Sequence, residues 1–192
     1  MSRTVCVFCG SSDRVARKYF DAAADLGRQM AARGWGLVFG GGTRGLMGAV
    51  ARGMHERGGH VAAIIPTRLN RPGVIYDTSD EIIVTDTLRE RKQEMDRRAD
   101  AFVALAGGFG TLEELLEAIT LKQLGYHERP VVILNTGGYY DSLVALFREQ
   151  ARAGFLRPDH LDLYHVASLP GEAIEYIDSY APVPVTDKLS SP

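Results

Sequence analysis

A chain of 192 residues, 45% of them hydrophobic, is long enough for one domain with a real core. Its formal charge of −2 leaves no broad basic surface and so excludes a general nucleic-acid binder, and any anion must be held by a local cluster. The longest apolar runs, such as VAAII, fall far short of the ~20 residues a membrane helix needs. The opening MSRTVCVFCGSS lacks the long apolar segment of a secretory signal and reads as a first strand, so a cytoplasmic location and no membrane partner are expected.

That first strand, TVCVFCG (4–10), carries both cysteines. Cys6 and Cys9 form a C-x-x-C, but inside a strand their odd spacing points them to opposite faces, as buried small hydrophobes rather than a redox pair. A helical pattern over 15–33 leads to a second strand, WGLVFGG (35–41), and another over 44–58 to a third, HVAAIIP (60–66). A longer loop, Thr67 to Asp80, precedes EIIVTD (81–86), a helix over 88–99 and the strand AFVALAG (101–107). A helix over 111–124, the strand PVVILN (130–135), a helix over 139–153, a weak strand LYHVA (163–167) and a helix over 170–179 complete the pattern. Short, continuously apolar strands alternating with helices predict an α/β fold: a doubly wound, mainly parallel sheet with helices on both faces. Residues 1–180 form one expected domain, and APVPVTDKLSSP (181–192) an expected frayed tail.

Ligands of such sheets bind beyond the carboxyl ends of the strands. There the sequence places CGSSD, FGGGTRGLMG, VTDTLRERK and LAGGFGTLEE. In the last, Gly107, Gly108, Gly110 and Thr111 fit either a tight turn or a phosphate cradle, because small residues and a helix start offer free N–H groups. Neither this loop nor the others has the spacing of a G-x-G-x-x-G dinucleotide site or a P-loop. In FGGGTRGLMG, Gly42 and Gly45 belong to a sharp turn and a thin helix start, shaped by close packing or by a ligand pressed against it. In DTLRERK, Thr87 and Glu90 form a capping box that starts a helix at Leu88. Leu88, Met95 and Ala99 mark its buried stripe, and Arg91 and Lys92 fall on the same stripe, either snorkelling to water or paired beside a candidate anion site.

Glu114 admits two readings. Thr111-Leu112-Glu113-Glu114 is itself a capping box, so Glu114 can tie back to its own helix start. On a helical wheel Leu112, Leu115, Leu116 and Ile119 face the core and Glu114 points nearly the other way. A catalytic Glu114 therefore calls for a wall other than this sheet, such as a second subunit.

GGGTRGLMG, LRERK and GGFGTLEE, in this order and spacing, resemble the Lonely Guy (LOG) family of cytokinin riboside 5′-monophosphate phosphoribohydrolases, whose members were often labelled lysine decarboxylases. The resemblance runs from CGSS to about LFREQ. It implies a Rossmann-like fold, a homodimer, no cofactor, and cleavage of the N-glycosidic bond of a nucleoside 5′-monophosphate. Carried over, it makes Arg91 and Glu114 catalytic and gives Gly107, Gly108, Gly110 and Thr111 to the phosphate, with Lys92, Glu113 and Thr120 also binding substrate. The proline of the family's motif is Ala106 here, and TLRERK stands where many members read MHERK. The stretch TRLNRPGVIYD shows no counterpart to a base-side glutamate found in some members. Two alternatives accompany this reading: a nucleosidase acting on AMP or other ordinary nucleotides, and a non-catalytic nucleotide or pterin-cofactor carrier. No metal is expected, since His55, His60, His127, His160 and His165 show no ligand spacing with cysteine.

Overall fold

The computed structural model describes residues 3–182; the expected tail from 183 onward lies outside them. Seven strands form one sheet, β1 (Thr4–Phe8), β2 (Gly36–Phe39), β3 (Val61–Pro66), β4 (Glu81–Thr85), β5 (Ala101–Ala104), β6 (Val131–Leu134) and β7 (His165–Ala167). Their order is β4-β3-β2-β1-β5-β6-β7 and every pairing is parallel. Among the described residues six helices accompany them: α1 (Arg17–Ala32), α2 (Gly45–His55), α3 (Leu88–Arg98), α4 (Phe109–Gln123) and α5 (Asp141–Arg152) connect strands, and α6 (Pro170–Ser179) follows β7. The chain builds outward from β1 to one edge, then returns to β5 and builds to the other. The connections that follow β1 and β5 therefore leave on opposite faces, and a crevice opens between the two strand ends.

Alternation along the strands fills two cores. Val5, Val7, Leu37 and Phe39 pack with Leu26, Met30, Val50, Met54 and Ile174 of α1, α2 and α6. Cys6, Phe8, Val38 and Phe102 pack with Met95, Leu115 and Phe147 of α3, α4 and α5. The two cysteines fall in different cores, free and buried, and burial pushes both thiols well up from their ordinary range. Helices α1 and α2 touch backbone to backbone. A Cβ on Gly27 would sit 2.3 Å from the Val50 carbonyl oxygen, and one on Gly53 would sit 2.2 Å from that of Ala24.

Two expectations need correction. Strand β4 is an edge, so Ile82 and Val84 face outward, 40% and 48% exposed, and the strand alternates instead of being apolar throughout. The longer 67–80 loop is present as expected and is tied back to the segment after β2. Val74 and Tyr76 pair with Thr43 and Gly41 through N–H···O bonds of 2.8 Å, around a bridge between Ile75 and Gly42. Leu88, the first residue of α3, is 56% exposed, while Met95 and Ala99 are buried as expected.

Candidate active site

Helix α3 starts where its capping box predicts: the Glu90 N–H donates to Thr87 Oγ1 at 3.1 Å, and the Asp86 N–H donates to Glu90 Oε2 at 3.0 Å. That start fixes Arg91 and Lys92 one turn in, facing α4. Helix α4 starts two residues before the expected position. Gly108 is its N-cap and no side chain caps it, so Thr111 lies inside the first turn and the Thr111–Glu114 capping box does not form. Thr111, Glu114, Leu115, Ala118 and Lys122 are the buried face of α4, whereas Leu116 is 41% exposed. Glu114, expected to point away from the core, is buried against Arg91 of the same chain.

The Arg91 Nη2 donates to Glu114 Oε1, with side-chain exposures of 14% and 9%. Burial pushes the Glu114 carboxyl above its usual range; Arg91 and Lys92 pull it back, and Glu113 and Glu117 oppose them. The Arg91 Nε–H is buried with no acceptor. An arginine donor left unpaired beside its one carboxylate is a costly arrangement unless a further anion or water completes it. Gly40, at the end of β2, makes room for the guanidinium: a Cβ there would stand 3.0 Å from Arg91 Nη1. Lys92 is held by Glu113 and, at 2.9 Å, by Glu117. Burial lowers its pKa, but the two carboxylates outweigh that and hold it above the ordinary lysine value.

The glycines divide by what demands them. Gly45 has φ +60°, its Cβ would meet the Ser11 carbonyl carbon at 2.5 Å, and its N–H donates to Asp13 Oδ1 at 2.8 Å. Packing accounts for Gly45, and a carboxylate of the chain already sits at the start of α2. Gly42 is buried beneath Met47 and tied to Ile75. Gly107 is required by Thr111, whose Oγ1 would be 2.0 Å from an added Cβ. Gly108 and Gly110 have negative φ and nothing within 4 Å of an added Cβ. Neither packing nor backbone conformation explains them. They face open space at the first turn of α4, where the N–H groups of Phe109, Gly110 and Thr111 have no intrahelical acceptor.

Arg91, Lys92, Glu113, Glu114 and the Gly107–Thr111 loop are thus brought together at one end of the α3–α4 pair. Thr120 is not: it lines a groove with Leu116, Ile119, Phe147 and Tyr164 on the outer side of α4. Sequence reasoning saw Gly40 only as part of a sharp turn, and missed Tyr139. Tyr139 donates its hydroxyl to the Gly107 carbonyl at 2.6 Å. Position at a strand end was the available signal for Gly40; nothing local marks Tyr139.

A doubly wound parallel sheet with helices on both faces and a crevice at its switch point defines a Rossmann-like protein. A family model described as "Possible lysine decarboxylase" matches residues 47–177. A probable cytokinin riboside 5′-monophosphate phosphoribohydrolase of Oryza sativa subsp. japonica is 47% identical over 94% of this chain and 80% of its own. A cytokinin riboside 5′-monophosphate phosphoribohydrolase of Arabidopsis thaliana is 44% identical over 94% of this chain and 79% of its own. The chain belongs to this family, the LOG proteins. Among solved structures, the molybdenum cofactor carrier protein of Chlamydomonas reinhardtii superposes with a TM-score of 0.70, at 25% identity, over 93% of this chain and 97% of that one. The molybdenum cofactor binding protein of Rippkaea orientalis does so with a TM-score of 0.71 at 24% identity, covering 93% and 97%, a likeness of fold.

Proposed function

We propose that the protein hydrolyses the N-glycosidic bond of adenosine 5′-monophosphates carrying an N6 substituent, releasing the free cytokinin base and ribose 5-phosphate. The observation that carries the reading is the buried Arg91–Glu114 pair, with an Arg91 donor left open, beside the uncapped start of α4. Relatives named for this reaction at 42–47% identity support it.

In this mechanism the N–H groups of Phe109, Gly110 and Thr111 take the 5′-phosphate, so a remote group fixes where the ribose lies. The C1′–N bond breaks with positive charge developing on the ribose. Glu114 stabilises that charge and accepts a proton from the water whose oxygen bonds to C1′. The leaving base nitrogen takes up a proton from solvent, and Glu114 gives the water's proton back to solvent, so the balance is one water consumed. Arg91 orients Glu114 and offers its remaining donors to the substrate's anionic end. Thr120 and the apolar outer face of α4 lie away from this site. We assign them to the contact of a homodimer, and place the protein in the cytoplasm with its nucleotide substrate.

The decarboxylase label fits the residues poorly. A pyridoxal phosphate enzyme needs a neutral lysine for its Schiff base. Lys92, the lysine at the site, is held charged by Glu113 and Glu117. The test of the proposal is chromatography of purified protein incubated with AMP and with isopentenyladenosine monophosphate. Release of free base supports the reading, and the ratio of rates tells a cytokinin enzyme from a general AMP nucleosidase. Tight nucleotide binding without base release would make the protein a carrier.

A further inference from the structure

Three consecutive carbonyls lead into the α4 start, and each is held by a donor from outside the loop. Leu105 accepts the Tyr140 hydroxyl at 2.7 Å, Ala106 accepts the Gly10 N–H at 3.0 Å, and Gly107 accepts the Tyr139 hydroxyl at 2.6 Å. Two of the three donors are adjacent tyrosines at the β6–α5 junction. Their placement is fixed in turn: the Tyr140 N–H donates to Asn135 Oδ1 at 2.6 Å, and Asn135 Nδ2 donates to Asp141 Oδ1 at 2.7 Å. The Tyr139 ring stands edge-on to Tyr19 of α1, with centroids 5.7 Å apart, and to Tyr140 at 4.9 Å. The loops that follow β1, β5 and β6 therefore meet at Tyr139, which also walls a cavity of about 320 Å³ shared with Ser11, Ser12, Gly107 and Gly108.

We infer that Tyr139 is a positioning residue for the reaction: its hydroxyl sets the orientation of the Gly107–Gly108 peptide, and through it the anion-binding start of α4. This rests on the proposed phosphate role of that helix start. A trans peptide is planar, so committing the Gly107 carbonyl to Tyr139 sends the Gly108 N–H to the opposite side. The same bond keeps a carbonyl lone pair from turning toward an anion in front of the helix. A peptide between two glycines is the link most free to flip, since neither residue has a Cβ to restrict it. Position 106, alanine here, does not stiffen the loop from the other side as a proline would.

The two tyrosines differ in what their loss would do. Tyr140 is 2% exposed, and removing its hydroxyl would strand a buried carbonyl. Tyr139 is 45% exposed, so water can replace its hydroxyl on the carbonyl without unfolding anything. What is lost is the orientation alone. Tyr139→Phe, which keeps the ring contacts, isolates that term.

The experiment measures kcat and KM for a nucleoside 5′-monophosphate, inhibition constants for inorganic phosphate and for free adenine, and the melting temperature, in wild type and Tyr139→Phe. KM and the phosphate constant should rise together by about 3- to 10-fold, the worth of one hydrogen bond. kcat should stay within about twofold, and the adenine constant and melting temperature should not move. An unchanged phosphate constant in a protein that still releases base overturns the role of Tyr139 and leaves the hydrolase reading standing. A parallel rise in the adenine constant with a lower melting temperature also overturns it, since that is general loosening. A wild-type protein that releases no base removes the reading beneath it as well.

Discussion

Arg91 and Glu114 come from two helices that start at the carboxyl ends of β4 and β5, and they meet where both side chains are withdrawn from water. Neither is expendable to the other. Glu114→Gln keeps the shape and the acceptor for Arg91 Nη2 but removes the charge. It should lower kcat by about 10²-fold or more, the scale of general acid–base catalysis, while far-ultraviolet circular dichroism and melting stay near wild type. Near wild-type base release by this variant would take Glu114 out of the mechanism.

Arg91→Ala should be inactive and also less stable, because it leaves a buried carboxylate without its partner. The cost is up to about 3 kcal/mol, the lower end for breaking a buried pair, since Glu114 can take up a proton. Urea denaturation at neutral pH measures it. A variant as stable as wild type would mean that Glu114 is already solvated or protonated.

The raised Glu114 pKa has a pH consequence. If the ionised carboxylate does the chemistry, kcat/KM falls as pH drops through that pKa, and the acid limb lies above about 4.3, the ordinary glutamate value. Stability runs the other way. The folded state binds the proton more tightly than the unfolded one, so ionised Glu114 costs stability above its folded pKa and the cost is relieved on acidification. Wild type should therefore gain melting temperature relative to Glu114→Gln as pH falls through this window. A gap that stays constant with pH would show that the group does not titrate there.

The glycines give a test that separates packing from binding. Gly45→Ala places a side chain at φ +60° against the Ser11 backbone, costing about 1–2 kcal/mol for the left-handed backbone alone. Gly108→Ala and Gly110→Ala add a methyl to open space. Gly110→Ala, inside the helix, should be neutral or up to about 1 kcal/mol stabilising. Both cradle variants should raise KM for the nucleotide. Thermal melts beside steady-state kinetics resolve the two classes, and unchanged KM in both cradle variants would return those glycines to an unexplained turn.

The fold was legible because its signal is repeated: seven apolar runs and six helical patterns all agree on one doubly wound sheet. The α3 half of the site was legible as well, since Thr87 and Glu90 set the helix start and hence the direction of Arg91 and Lys92. The α4 half misled. Thr111-x-x-Glu114 satisfies the capping pattern, but Gly108 starts the helix, so Thr111 sits inside the first turn and Glu114 is released from capping it. Leu112, Leu115 and Ile119 do pack against the core as the wheel has them, and Leu116 departs from it. The wheel cannot see that Arg91, from a distant segment, offers Glu114 a buried partner. The Tyr139–Gly107 bond spans 32 residues and obeys no local rule.

Leu116 illustrates what the packing of α4 leaves over. It is 41% exposed in the chain and lines a groove with Ile119, Phe147, Leu156 and Tyr164. Exposed apolar side chains are ordinary when scattered, but clustered along one helix and its neighbour they mark a contact surface. In the proposed homodimer a second copy covers this face, and a charge placed there is buried without a partner. Leu116→Asp should convert a dimer to a monomer in sedimentation equilibrium. Because Leu116 points away from Arg91 and Glu114, the monomer should keep its circular dichroism spectrum. If Leu116→Asp leaves the dimer intact, the contact lies on another face, and Thr120 loses its assigned place in it.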